Sequence, residues 1–172
     1  MQQNDIQPKE VEALILKMAE DIKAKFAPLS SKDYLMIGIH TGGVWVAQRL
    51  HQLLNLTQPL GILDISFYRD DFSRIGMNPQ VKPSKLPVSV EDKHILLVDD
   101  ILHTGRTIRA AMNELFDYGR PASIRLVVLG ERGGRELPIQ PDVVGRHLSL
   151  EAHEHVKLTG PDDLSLTVTT TL

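Results

Sequence analysis

The chain is predicted to fold as an α/β domain with a doubly wound, mainly parallel sheet. Three observations predict it. Aliphatic runs at Tyr34 to Ile39, Ile95 to Val98 and Ser123 to Leu129 read as strands buried on both faces, the signature of a parallel sheet. These runs alternate with stretches whose apolar residues recur at helical spacing. Two of the strands feed a glycine-containing turn and then a helix at once, which puts a binding site at the strands' carboxyl ends.

Residues 8 to 26 form the first helix, with Val11, Leu14, Ile15, Met18, Ile22 and Phe26 on one face and Pro8 near its start. Its charged face carries Lys9, Lys17, Lys23 and Lys25 against Glu10, Glu12, Glu20 and Asp21, the pattern of a solvated surface. Tyr34 to Ile39 is a strand, His40 to Gly43 a tight turn, and Val44 to Leu54 a helix with Val46, Ala47, Leu50, Leu53 and Leu54 inward. Leu60 to Tyr68 is a third strand. A segment from Arg69 to Val90 follows, with Pro79, Pro83 and Pro87 and no periodicity. Loops of this length in a small domain are commonly functional, and Arg69, Arg74, Lys82 and Lys85 suit closure over a polyanion.

Ile95 to Val98 ends abruptly in two adjacent carboxylates, Asp99 and Asp100. A hydroxyl-rich turn comes next, and a helix opens near Thr107 with Ile108, Ala111, Met112, Leu115 and Phe116 on its apolar face. Gly119 and Pro121 end it. After Ser123 to Leu129 come a polar loop from Gly130 to Gln140 and a short strand at Val143 and Val144. Strands near Val156 to Leu158 and Leu164 to Val168 finish the domain, which is expected to be single over residues 1–172.

The order strand, acid pair, Thr-Gly-x-Thr turn, helix has a chemical logic. Backbone N–H groups at Thr104, Gly105, Arg106 and Thr107 can converge on an anion at the positive end of the helix. Gly105 leaves room for close approach, and the two threonine hydroxyls add donors that suit a phosphate. Asp99 and Asp100 would repel that phosphate at contact distance, so they must face a neutral, hydroxyl-rich group beside it. A ribose 5′-phosphate meets both demands. The plainer alternative is that the aspartates only cap the helix. A nucleotide P-loop is excluded because its lysine and spacing are missing. A response-regulator receiver would need an aspartate near Val144, where Arg146 and His147 stand.

This stretch resembles the phosphoribosyl-pyrophosphate (PRPP) signature of the type I phosphoribosyltransferases. Leu63-Asp-Ile-Ser-Phe-Tyr-Arg-Asp-Asp71, Arg106 to Met112, Gly119-Arg-Pro121, Arg132-Gly-Gly-Arg-Glu-Leu-Pro-Ile139 and Asp142-Val-Val-Gly145 narrow the resemblance. They point to the uracil phosphoribosyltransferase/pyrimidine attenuator family called PyrR, over roughly residues 10 to 160. The resemblance implies the type I phosphoribosyltransferase fold, with a small hood (about 130–155) over the strands' C-terminal ends and a flexible flap (about 69–90) that closes on PRPP. It implies that Asp99 and Asp100 grip the ribose and that His103, Thr104, Gly105, Arg106 and Thr107 surround the 5′-phosphate. Thr41, Gly42 and Gly43 would hold the pyrophosphate, Arg69 would act from the flap, and Val143, Val144 and Arg132 would meet the base. Mg²⁺ is implied on the diphosphate, with no direct protein ligand or with water between it and Asp99 and Asp100.

The implied reaction is uracil plus PRPP giving UMP and diphosphate, in pyrimidine salvage. Hypoxanthine/guanine relatives carry an aspartate where His103 stands and a hood lysine that Val127 to Arg132 lacks, which favours uracil. Departures from the family are Gly42, where relatives have arginine, Val143 in place of an aromatic, and the Ser149-Leu-Glu-Ala152 stretch. The alternatives are a UMP- or PRPP-sensing RNA-binding attenuator and a 6-oxopurine phosphoribosyltransferase. RNA is not expected as a partner. Relatives carry threonine, a basic residue and histidine on the first helix where Leu16, Lys17 and Glu20 stand here, and the net charge of −3 supplies no general attraction to nucleic acid. The resemblance also implies a homodimer or higher homo-oligomer.

Hydrophobic content of 42% and charged content of 24% are those of a soluble globular domain. Cysteine is absent, which excludes disulfide and thiolate chemistry and fits the cytoplasm. The polar N-terminus is unlike a signal peptide, and no apolar run reaches membrane-spanning length.

Overall fold

The computed structural model describes residues 5–26, 28–29, 32–65 and 84–171. Helix α1 (Pro8–Lys25) starts with proline in its first turn, where the missing N–H has no intrahelical partner to lose. It buries Val11, Leu14, Ile15, Met18, Ala19 and Ile22. Strand β1 (Tyr34–Ile39) leads to α2 (Gly42–Leu54), then β2 (Gly61–Leu63) and β3 (His94–Leu102). Helix α3 (Arg106–Tyr118), β4 (Ser123–Arg132), β5 (Val143–Leu148), β6 (Glu154–Thr159) and β7 (Ser165–Thr170) complete the order.

Five strands form one sheet in the order β2-β1-β3-β4-β5, every neighbour parallel. Alternate residues of its strands serve two cores. Met36, Leu96, Val98, Val127 and Leu129 pack against α1 and α2. Ile37, Ile95, Leu97, Leu126 and Val128 pack on the opposite face against Ile108, Ala111 and Leu115 of α3. Both faces are therefore covered, as a parallel sheet requires. Among the described residues no helix is long and apolar enough to cross a membrane.

The last two predicted strands form, but they do not join the main sheet. β6 and β7 pair antiparallel as a separate hairpin. Its Leu158, Leu164 and Leu166 pack on the α1/α2 side, and Leu166 exchanges two backbone hydrogen bonds with Ile6 (2.9 and 3.0 Å). Only one face of each hairpin strand is apolar, so it suits a half-solvated antiparallel pair and could not sit inside the parallel sheet.

β3 and β4 are longer than their aliphatic runs. β3 continues through the acid pair because Ile101 and Leu102 pair with Gly130 and Glu131 of β4. The described part of the predicted flap, 84–90, packs along the sheet edge. Lys85 exchanges two 2.8 Å backbone hydrogen bonds with Ile62, and Val90 is buried.

One tether there predicts a pH effect. Ser84 Oγ accepts from the Asp64 N–H (3.0 Å) and donates to Glu114 of α3 (2.6 Å). Glu114 Oε2 is buried without a partner, and burial raises the carboxyl above its ordinary range against the Ser84 bond, which lowers it. The native state therefore holds the proton more tightly than the unfolded chain. Stability falls as pH rises from the unfolded value through the raised one. Glu114→Gln removes that dependence, so its melting temperature relative to wild type is expected to be more favourable at pH 8 than at pH 5.

Candidate functional site

The strand order locates the site before any side chain is considered. From β1 the sheet grows one way to β2 and the other way to β3, so the loops leaving β1 and β3 diverge and open a crevice at their carboxyl ends. The first loop is His40-Thr41-Gly42-Gly43, anchored by His40 N–H to Leu63 O (2.8 Å). The second is the acid pair and the Thr-Gly-x-Thr turn.

These loops touch. A Cβ on Gly43 would stand 2.6 Å from Val98 O and 3.0 Å from Asp99 Cα. A Cβ on Gly42 would enter the carboxylate of Asp100, 2.8 Å from its Cγ. Two glycines at the start of α2 thus let the first turn lie directly on the acid pair, and the helix begins at Gly42, two residues before the predicted start. An arginine at position 42, with Asp100 as it stands, would collide with it.

Asp99 is buried (6% exposed), and its Oδ1 accepts from the Asp100 N–H at 2.8 Å. Asp100 Oδ1 accepts from the Ile101 N–H at 2.7 Å. Each carboxylate is oriented by the next backbone amide at the carboxyl end of β3, Asp99 buried and Asp100 partly exposed, where it can accept from hydroxyls.

Past Leu102 the chain turns. Gly105, in the left-handed region at φ 95°, precedes α3, and its carbonyl receives the Arg109 N–H (3.0 Å). Thr104 Oγ1 accepts from the Arg106 N–H (3.2 Å), and the Arg106 guanidinium pairs with Glu136 (3.2 Å). Thr107 is exposed at the helix start. His103 is exposed, and its imidazole lies beside the next loop, where a Cβ on Gly134 would be 3.0 Å from its Nε2. Partial desolvation holds its pKa below the ordinary value, the Arg132, Arg135 and His155 charges add to that, and Glu136 opposes it.

The residues assigned to the base divide. Arg132 ends β4 near His103, but its guanidinium donates to the carbonyls of Glu154 (2.8 Å) and Glu151 (3.2 Å), tying the hairpin's entrance to the sheet. Val143 is 2% exposed in the core beneath α1, because the register that pairs it with Val127 points both at the helix layer. Its side chain is a packing residue and is not presented to a base. Val144 packs on the opposite face with Ile139. Both valines border a cavity of about 570 Å³ beside α1, apart from the acid pair, which Asp21, Lys25, Glu131 and His147 also line. Arg69, Arg74 and Lys82 lie outside the described residues.

Sequence reasoning placed residues 133–140 in the hood but missed that this loop is bonded to the Thr104 turn. Glu136 N–H and Leu137 N–H both donate to Thr104 O, at 2.9 and 3.2 Å. The Gly-Gly-Arg-Glu-Leu-Pro run was visible, but its polarity reads as solvated loop and nothing local points to Thr104.

Among the described residues no three His, Asp or Glu side chains converge as a metal cage. The hard oxygens at the crevice belong to Asp99 and Asp100. They fit a Mg²⁺ held through water and substrate oxygens.

Known proteins share this chain's fold and much of its sequence. The sequence model of the phosphoribosyl transferase domain matches residues 2–163. Bifunctional protein PyrR of Nitrosococcus oceani is 61% identical over 160 residues, 92% of this chain and 90% of that protein. Bifunctional protein PyrR of a Pseudomonas putida strain is 60% identical over 153 residues, 89% of each chain. Among solved structures, a hypoxanthine phosphoribosyltransferase from Staphylococcus aureus aligns over 87% of this chain and 78% of its own, with TM-score 0.67 and 19% identity. A purine phosphoribosyltransferase from Pyrococcus horikoshii aligns over 83% of this chain and 86% of its own, with TM-score 0.63 and 23% identity. At these identities the structural likeness shows the shared fold.

Proposed function

The chain belongs to the phosphoribosyl transferase family, and within it to the PyrR proteins; on that premise we propose that it joins uracil to PRPP, giving UMP and diphosphate. One observation carries the reading. The two glycines after β1, the acid pair and the Thr-Gly-x-Thr turn meet in one crevice at the sheet's switch point.

PRPP is to lie across that crevice. Its 5′-phosphate takes the amides of Thr104 to Thr107, its ribose hydroxyls donate to Asp99 and Asp100, and its diphosphate faces Thr41 to Gly43. The bond from C1′ to the diphosphate oxygen breaks as the bond from C1′ to uracil N1 forms. The N1 proton leaves to solvent or the departing diphosphate. Positive charge grows on the ribose, where the acid pair stabilises it, so catalysis is positioning plus electrostatics with no covalent enzyme intermediate. Mg²⁺, when bound, neutralises the diphosphate and makes it a better leaving group. Arg69 is assigned to the flap that excludes water.

The base is to sit between His103 and the segment that Arg132 anchors at Glu151 and Glu154, with His155 nearby. Cytoplasmic location and a homodimer or higher homo-oligomer go with this reading. A panel of uracil, hypoxanthine, guanine, xanthine and orotate with PRPP and Mg²⁺ tests it. Uracil is expected to be consumed fastest; preference for hypoxanthine would overturn the assignment. A further prediction concerns the glycine turn. Gly42→Ala puts a methyl into the Asp100 carboxylate, and the KM for PRPP is expected to rise several-fold with little change in melting temperature.

The relatives are described as bifunctional, and the resemblance to the PyrR family supplies a second reading, regulation of pyrimidine genes through RNA. On α1, however, the four lysines are matched by four acids, Lys23 pairs with Glu20 (3.1 Å), and Arg146 of β5 faces Glu10 (3.4 Å). A cationic surface of the kind RNA phosphates need is largely neutralised there. Filter binding of a pyrimidine leader RNA, with and without UMP, separates the two. Tight, salt-dependent retention would place RNA first.

A further inference from the structure

The 5′-phosphate turn has few bonds of its own. Within it, Arg106 N–H reaches Thr104 Oγ1 and Arg109 N–H reaches Gly105 O. Its remaining support comes from the loop between β4 and β5. Glu136 and Leu137 donate to the Thr104 carbonyl, and Ile139 and Leu137 stand behind Gly105.

That loop is itself organised by one cation. Arg135 donates from Nε to Ile139 O (2.7 Å) and from Nη1 to His103 O (2.6 Å) and Arg132 O (3.3 Å). Its Nη2 pairs with Glu131, whose other carboxylate oxygen meets His147 Nδ1 at 2.8 Å. The Arg135 and Glu131 side chains are only 22% and 18% exposed, so this is a sheltered network rather than a surface ion pair. One guanidinium therefore joins the end of β4, the far side of the loop and the residue that precedes Thr104.

We propose that Arg135 is a positioning residue for the 5′-phosphate of PRPP: it fixes the Thr104–Thr107 amides relative to the acid pair by clamping the His103 carbonyl to the 133–139 loop. It acts through the backbone and needs no contact with substrate. The inference rests on the assignment of the 5′-phosphate to that turn. A lysine has three donors but on a single nitrogen, so it cannot span the separated carbonyls and the carboxylate that the guanidinium reaches from Nε, Nη1 and Nη2.

The test is calorimetric titration of wild type, Arg135→Gln, Arg135→Lys, Glu131→Gln and Thr104→Val, each with PRPP and separately with magnesium diphosphate. Thermal melting is run beside it. Arg135→Gln is expected to weaken PRPP about tenfold, the loss of one charged hydrogen-bond network, and to leave diphosphate within about twofold. Arg135→Lys recovers part of the loss, and Glu131→Gln shows a smaller loss in the same direction. Glu131→Gln and Arg135→Lys carry the test if Arg135→Gln does not fold. Equal weakening of both ligands means a general structural role and overturns the proposal, as does unchanged PRPP affinity in the Arg135 and Glu131 variants. If Thr104→Val leaves PRPP affinity untouched, the phosphate assignment itself fails and the inference falls with it. Sensitivity at Thr104 with indifference at Arg135 overturns the positioning role alone.

Discussion

Asp99→Asn is expected to lower kcat/KM for PRPP by about 10- to 100-fold while leaving the protein folded. A hydrogen bond to a charged group is worth about 1.5–3 kcal/mol, and the charge also stabilises the cation that develops on the ribose. The fold should survive because the amide oxygen of asparagine can still accept the Asp100 N–H, as Asp99 Oδ1 does now. Asp100→Asn should act in the same direction, since its Oδ1 similarly receives the Ile101 N–H. Its carboxylate also borders Gly42, so this variant should disturb diphosphate binding as well as ribose binding. Steady-state kinetics with PRPP varied, checked by thermal melting, measures both. Normal turnover by both variants would remove the ribose from this pair.

Gly105→Ala is the second large effect, for a different physical reason. A Cβ at Gly105 would meet Ile139 at 3.4 Å and Leu137 at 3.5 Å, which is ordinary contact, so space is not the obstacle. The obstacle is φ 95°, where a non-glycine residue costs about 1–3 kcal/mol. The chain can hold the turn and lose stability, at about 2–4 °C of melting temperature per kcal/mol for a domain of this size. It can instead relax the turn and spoil the convergence of the amides on the phosphate. Either way the KM for PRPP is expected to rise, by about tenfold if the turn relaxes. Unchanged melting together with unchanged KM would mean that the left-handed turn is not needed by the site.

What could be read from the chain, and what could not, follows the range of the interactions. β1 was legible to its ends, Tyr34 and Ile39, because burial on both faces leaves an unbroken aliphatic run. α1 was legible within a residue, since one apolar stripe and Pro8 define it. The acid pair and the turn were legible as chemistry, because adjacent carboxylates beside an amide-rich turn have few uses. β3 was cut short at Asp99 because charged residues look like a strand end. Their partners, Gly130 and Glu131, are about thirty positions away, and only pairing reveals the continuation.

The same distance in sequence hid Arg135. A guanidinium that bonds His103, Arg132 and Ile139 carries no periodic signal. Val143 shows the converse error. Its place in the family pattern suggested a base contact, and the pairing with Val127 turns it inward under α1. Ser84 and Glu114 likewise meet only because the described part of the predicted flap, residues 84–90, returns along β2.

A crystal structure of the protein with UMP bound tests the central claim most directly. The phosphate should lie within hydrogen-bond distance of the Thr104–Thr107 amides, with the 2′- and 3′-hydroxyls on Asp99 and Asp100. UMP seated elsewhere, for instance in the cavity beside α1, with the acid pair facing solvent or a cation, would contradict it.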